Sequence, residues 1–236
     1  MQLASTGSGA EGRSAGRPVS RQVLADHVYE ELLASLMDGR LEPGAAVSID
    51  GTARELDVSP TPVREALARL EHTGMVRRVA LKGYRVAPVF TQEDFAELME
   101  ARLAIEPVNA RLACSRLTPG HLRELEQAVT DLKDAPRGPS FAEFRSYLEA
   151  DERFHRLIAE QTGNQFMVAA YAALGGQIQR FRLFGGVGIT DAEHAIAEHQ
   201  AVLDAFASGD PQQAEAAMAE HVRKVRGRAI ADAPAD

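Results

Sequence analysis

A chain of 236 residues, 45% apolar and 25% charged, has room for two small domains with separate cores. It has no apolar run near the roughly 20 residues of a membrane helix, no apolar signal segment in residues 1–18, and a single cysteine, Cys114. Nothing here suggests a membrane-spanning, exported or disulfide-stapled chain, and we expect a cytoplasmic protein; the net charge of −8 leaves open whether any part of it can meet a polyanion.

Residues 1–18 are rich in Gly, Ser and Ala and are expected to form a disordered tail. The first helix is predicted over Arg21–Asp38, where Leu24, Val28, Leu32 and Leu36 recur every four residues; Gly39 ends it and Pro43-Gly44 makes a turn. A short helix is expected around Thr52–Leu56. Ser59 as N-cap and Pro60 at the first helical position begin a third helix that runs through Leu70 and stops at Gly74. Met75–Val79 and Tyr84–Pro88 read as two strands of a small hairpin with Lys82-Gly83 at its tip. Val89–Glu93 is the expected linker between domains at 19–88 and 94–231. Beyond it six helical stretches fit, at 91–116, 118–133, 140–162, 164–184, 190–208 and 210–231, with breaks at Thr118-Pro119-Gly120, Pro136 to Pro139, Gly163, Gly185 to Gly188 and Gly209-Asp210-Pro211. The fold class is therefore mainly α: an N-terminal winged helix-turn-helix, three helices plus a small β-hairpin, and a C-terminal all-α antiparallel bundle.

A winged helix-turn-helix reads duplex DNA when its second motif helix enters the major groove with polar residues at its N-terminal end. Ser59, Thr61 and Arg64 fill those positions, while Val63, Ala66, Leu67 and Leu70 face inward. Lys82 and Gly83 at the hairpin tip can reach a neighbouring groove or backbone. The charge is distributed to suit. Residues 60–90 hold Arg64, Arg69, Arg77, Arg78, Lys82 and Arg85 against Glu65 and Glu71, whereas residues 91–236 hold fifteen basic and twenty-three acidic residues. A local positive patch is what phosphate needs, and an acidic remainder helps orient the molecule. A solvated basic face, or a winged helix used for protein contacts, is the alternative.

Three of the C-terminal helices carry a polar, metal-capable residue in the middle of an apolar stripe. These are Asp151 and His155 with Phe144, Leu148 and Ile158; His199 with Ile196, Leu203 and Phe206; and His221 with Ala214, Met218 and Val225. A buried carboxylate without a partner is costly, and a divalent cation on Asp151, His155, His199 and His221 removes that cost. One carboxylate and three imidazoles suit Zn, Ni, Mn, Fe or Co. The alternative is ordinary core histidines with satisfied hydrogen bonds. Arg102 lies on the inward stripe of its helix and either holds a carboxylate or pairs with Glu106. Asn164 either caps the helix it precedes or contacts an effector. Gly175-Gly176 inside that helix allows close packing or a kink.

The run Leu41-Glu42-Pro43-Gly44, then Ala53 through Glu71, then Gly74-Met75-Val76 and Gly83-Tyr84-Arg85-Val86, resembles the GntR family. The resemblance implies that Arg54, Ser59, Thr61, Arg64 and Gly83 lie at a DNA interface. Pro60 stands where an Arg is common and Asp50 where a basic residue is common, so the operator sequence does not carry over. The pattern Arg102…Glu106, Asp151-x-x-x-His155, His199, His221 resembles the FCD effector domain of the FadR subfamily, and six helices are closer to its shorter VanR-like branch. Together these resemblances imply a homodimeric repressor of a catabolic or transport operon. It would bind a palindromic operator in double-stranded DNA and sense a small organic acid through the metal and Arg102. Three other roles for the ion stand beside this: the ion itself as signal, a structural ion, or a metalloenzyme, although the stripes offer no further carboxylate as a general base.

Overall fold

The structure, a computed structural model, describes residues 21–138, 140–184 and 192–231. The expected tail at 1–18 and the expected break at Gly185 to Gly188 lie outside the described residues. The N-terminal part runs α1 (Arg21–Met37), β1 (Ala46–Val47), α2 (Ile49–Glu55), α3 (Pro60–His72), β2 (Val76–Val79) and β3 (Gly83–Val86). Six helices follow: α4 (Gln92–Cys114), α5 (Pro119–Asp134), α6 (Phe141–Gln161), α7 (Gln165–Phe184), α8 (Ala192–Ser208) and α9 (Pro211–Ala231).

The apolar stripe of α1 is buried at Val28, Leu32 and Leu36, in one core with Val63, Leu67 and Leu70 of α3. Each such side chain contributes about 1.5–3 kcal/mol by leaving water. The second helix starts at Ile49 rather than Thr52 because Ser48 caps it, its Oγ accepting from the Gly51 N–H at 3.0 Å. Asp57, in the turn between α2 and α3, adopts φ 52°, a left-handed conformation that Asp tolerates better than most residues.

The expected hairpin belongs to a three-stranded antiparallel sheet of order β1-β3-β2. Ala46 pairs with Arg85 and Val47 with Tyr84 on one side of β3; Val76 pairs with Val86 and Val79 with Gly83 on the other. A two-residue strand carries no alternation for a sequence pattern to reveal. β3 ends at Val86, short of Pro88, which has no N–H to extend a ladder.

In the bundle α4 packs on α9, α6 and α7, α5 on α6 and α8, and α8 on α9. Met99, Leu125, Phe154, Ile158, Val202, Phe206, Met218 and Val222 fill its core. Thr91 and Asp94 form a reciprocal cap at the start of α4. Pro107 sits inside α4, where it withholds the N–H that would bond the Leu103 carbonyl.

Among the described residues the N-terminal part meets the bundle through α1, which packs on α6 and α7, and through the end of α3. The Asp38 carboxylate accepts from the Phe141 N–H at 3.0 Å, at the start of α6. Glu30 of α1 pairs with Arg145 of α6. The end of α3, Thr73 and Gly74, lies against Gly176 and Gln177 of α7. Among the described residues no helix is long and apolar enough to cross a membrane.

Candidate functional site

The first candidate is the outer face of α3 and the sheet tip. Pro62, Val63, Ala66, Leu67 and Leu70 bury one side of α3, leaving Thr61, Arg64 and Ala68 exposed on the other. Ser59 is the N-cap, but its hydroxyl makes no cap hydrogen bond, so the exposed Oγ is left for other contacts. Arg54 is exposed in the last turn of α2. Lys82 and Gly83 are exposed at the tip beside Leu81, which is fully exposed with φ 63°. Arg77 and Arg78 are exposed on β2. Two of the six basic residues are engaged within the fold. Arg69 lies 2.6 Å from Asp26 and 4.0 Å over the Tyr29 ring, and Arg85 Nη1 donates to the Gly44 carbonyl at 2.9 Å. The positive face therefore consists of Arg54, Arg64, Arg77, Arg78 and Lys82.

The second candidate lies in the middle of the bundle. α6 supplies Asp151 and His155, α8 supplies His199 and α9 supplies His221, all buried. One ligand nitrogen of each histidine lies within 4.8 Å of the others. His199 Nε2 is 3.2 Å from His155 Nε2 and 3.4 Å from Asp151 Oδ1. The ring centroids lie 4.6–5.2 Å apart.

The His199 and His221 rings each have a hydrogen-bond acceptor at the other nitrogen, whereas His155 Nδ1 lies beside a carboxylate at ion-pair distance without hydrogen-bond geometry. His155 Nδ1 lies 2.8 Å from Glu106 Oε2, His199 Nδ1 lies 2.6 Å from the Ala195 carbonyl, and His221 Nδ1 lies 3.0 Å from Glu198 Oε2. An imidazole whose Nδ1–H is held by an acceptor presents the lone pair of Nε2. His221 Nε2 is buried without a hydrogen-bond partner among the described residues. Burial first, then the charges of His199, His155 and Arg102, holds the His221 imidazole well below its ordinary value, so the ring is neutral and able to ligate. The three histidines thus fit a divalent ion, with the Asp151 carboxylate beside His199 but not converging on all three rings.

Beside the histidines is a small cavity, with room for about one water molecule. It is lined by Arg102 of α4, Leu148, Asp151, Glu152 and His155 of α6, and Tyr171, Gly175 and Ile178 of α7. The Tyr171 ring stacks on His155 with centroids 6.4 Å apart. Both expectations for Arg102 meet here: it is buried and faces the cavity, and its Nε donates to Glu106 Oε1 at 2.6 Å. Its Nη1 has no hydrogen-bond partner among the described residues. Burial alone would raise the Glu106 carboxyl, but Arg102 and His155 outweigh it and hold it well below the ordinary carboxylate range.

Asn164 is not brought into this cluster. It is exposed, and its Oδ1 accepts from the Phe166 N–H at 3.0 Å in the first turn of α7, the capping alternative. His121 is buried with Nε2 2.9 Å from the Leu157 carbonyl, and His27, His72 and His194 are exposed. Glu198, which the sequence pattern groups with exposed His194, is buried. The signal was present: Ala195, Glu198, Val202 and Ala205 follow helical spacing and widen the apolar face of α8.

Comparison with known proteins adds to this geometry. A family model described as "Bacterial regulatory proteins, gntR family" matches residues 24–86, and one described as "FCD domain" matches residues 97–224. The chain is 28% identical over 204 residues to the "Probable D-xylose utilization operon transcriptional repressor" of Paenarthrobacter nicotinovorans, covering 86% of this chain and 88% of that protein. It is 29% identical over 246 residues to the "HTH-type transcriptional repressor NanR" of Cronobacter sakazakii, covering 92% and 90%. The solved structure of E. coli McbR/YncC has the same fold, with a TM-score of 0.69 at 22% identity, covering 88% of this chain and 97% of that one.

Proposed function

The chain belongs to the GntR family of bacterial regulatory proteins and carries an FCD domain; from that premise we propose that it is a homodimeric repressor that releases its operator when a small organic acid enters the metal-containing bundle. It is a DNA-binding transcription regulator and not an enzyme, and the curated relatives named above are transcriptional repressors. The metalloenzyme alternative is therefore set aside. Each protomer reads half of a palindrome through Ser59, Thr61 and Arg64 in the major groove, with Arg54, Lys82 and Gly83 on the backbone or the adjacent groove.

The observation that carries the sensing half is the convergence of His155, His199 and His221 next to a cavity that Arg102 faces. Asp151 and the three histidines hold the ion, which supplies a Lewis-acidic point for a carboxylate or hydroxyl oxygen. Arg102 Nη1 offers a charged donor to the same ligand.

The cavity is too small for an organic acid as it stands, so the acid must displace part of its wall. Tyr171, Gly175 and Ile178 place α7 in that wall, and Gly176, the next residue, rests on the backbone at the end of α3. Movement of α7 therefore reaches the DNA-reading helix directly. A switch of this kind requires the acid to bind the two arrangements with different affinity.

The test is to titrate small hydroxy-, keto- and sugar acids into metal-loaded protein and follow operator binding by fluorescence anisotropy. The reading expects at least one acid to lower operator affinity at least tenfold. It fails if acids that bind the bundle leave DNA affinity unchanged. The small cavity also favours a second reading, in which the ion alone is the signal. Removing and restoring metal without any acid separates the two, because only in the second does operator affinity follow the metal by itself.

A further inference from the structure

The metal-site reading accounts for the histidines but not for Glu198 and Arg228. Glu198 is a buried acid on α8, adjacent in sequence to His199, and its side chain turns to α9 rather than to the cluster's centre. Its Oε2 accepts from His221 Nδ1 at 3.0 Å and from Arg228 Nη2 at 3.1 Å, and its Oε1 accepts from Arg228 Nη1. We infer that Glu198, clamped by Arg228, is the positioning residue that selects which ring nitrogen His221 offers to the metal.

The tautomer of His221 follows from the donor arithmetic of the imidazole. A neutral ring has one N–H and one lone pair. A carboxylate oxygen at Nδ1 can only accept, so it places the proton there and leaves the lone pair on Nε2. His221 Nε2 is the nitrogen left buried without a hydrogen-bond partner among the described residues. His199 Nδ1 has a backbone carbonyl instead, and His155 Nδ1 lies beside Glu106 at ion-pair distance without hydrogen-bond geometry, so Glu198 acts on His221 alone.

A carboxylate as buried as Glu198 needs its charge met, and the Arg228 guanidinium meets it through two nitrogens. The fork has a second effect. His221 and Arg228 lie seven residues, two helical turns, apart on the same face of α9. Holding both from a single residue of α8 fixes the rotation of α9 about its axis. The ring is therefore oriented by a clamp whose outer member lies away from the metal.

This inference assumes the metal-site reading, and the test separates the two. Full-length protein labelled with 15N-histidine is prepared as wild type, Glu198→Ala, Glu198→Gln, Arg228→Met and Arg228→Lys. Long-range proton–nitrogen spectra of the metal-free proteins report the His221 tautomer, and competition with a chromophoric chelator reports zinc affinity. Wild type shows the Nδ1–H form. Glu198→Ala loses that preference and raises the zinc Kd about 10–100-fold, the range found for residues that orient metal ligands. Glu198→Gln, which keeps an acceptor oxygen, retains the tautomer and loses less affinity. Arg228→Met weakens zinc binding more than Arg228→Lys. If Glu198→Ala does not fold, Glu198→Gln and the Arg228 pair carry the comparison. The inference is overturned if these variants lose thermal stability while tautomer and zinc Kd stay at wild-type values. Absence of zinc uptake by wild type sinks the site reading instead.

Discussion

Gly176 of α7 lies so close to Thr73 at the end of α3 that a Cβ added to it would stand 2.7 Å from the Thr73 Cα and 2.9 Å from the Thr73 carbonyl oxygen. Both obstacles are backbone, so neither can rotate away. Glycine at 176 is what lets the wall of the cavity rest on the DNA-reading helix. Gly176→Ala is expected to cost about 1–3 kcal/mol through overpacking, and to shift the acid concentration that releases operator by at least threefold. Gly175→Ala is the control. A Cβ there meets only the Tyr171 ring, at 4.0 Å, so the helix gains roughly 0.4–1 kcal/mol from the added Ala. Chemical denaturation of both variants checks the contrast. Equal stability changes would show that α7 and α3 are not in firm contact.

Arg64 and Arg69 separate reading from folding on a single helix. Arg64 is exposed on the outer face of α3, whereas Arg69 is engaged with Asp26 and Tyr29. Arg64→Ala is expected to weaken operator binding by about 1–3 kcal/mol if it meets a base edge, with little change in stability. Arg69→Ala acts on the fold, by no more than about 1 kcal/mol for so exposed a pair, and leaves sequence preference intact. Anisotropy with operator and with scrambled duplex, at two salt concentrations, distinguishes them. Unchanged discrimination in Arg64→Ala would remove that residue from base reading.

The sequence disclosed those features that repeat along an element. The stripes of α1 and α3, the N-cap position of Ser59, the break at Thr118-Pro119-Gly120, and the inward positions of Asp151, His155, His199 and His221 all follow from spacing and local chemistry. Features that depend on a second element stayed hidden. β1 is two residues long and exists only because β3 is there to pair with it. The inward position of Glu198 is legible in the spacing of Ala195, Val202 and Ala205, but its partner Arg228 lies on another helix and is not. The two readings of Arg102, inward clamp or partner of Glu106, were not exclusive, because a guanidinium has enough donors for both.

Metal uptake should stabilise the bundle in proportion to its occupancy. Zinc at a hundred times its Kd adds about 2.7 kcal/mol by mass action. A chelator should therefore lower Tm, and His199→Ala should abolish the zinc-induced rise while leaving the helical circular dichroism in place. Persistence of the full rise in His199→Ala would place the ion elsewhere.

The metal-free protein should lose stability on acidification. In the unfolded chain His221 takes up a proton near pH 6.5; in the fold, burial and its charged neighbours keep it neutral to much lower pH. The unfolded state thus binds more protons in the window below pH 6.5, and stability falls as pH falls through it. Tm is expected to drop between pH 7 and 5, and zinc affinity to drop with it, because protons compete for the same nitrogens. A flat Tm across that window in chelator would contradict a buried neutral His221.

Arg102 divides its guanidinium between structure and ligand. Nε is committed to Glu106, while Nη1 is buried, unpartnered among the described residues, and belongs to a side chain that lines the cavity. Arg102→Lys keeps one positive charge but loses the planar fork, so it cannot serve Glu106 and a ligand carboxylate together. Arg102→Ala removes the charge and leaves Glu106 with only His155 beside it, a loss of the order of 3–5 kcal/mol for a broken buried pair. The lysine variant should therefore fold well enough to assay, yet bind the acid at least tenfold more weakly, as read by calorimetry on zinc-loaded protein. If Arg102→Lys binds the acid as wild type does, the ligand does not use Nη1. The arginine would then act only as the counter-charge that keeps Glu106 ionised against His155.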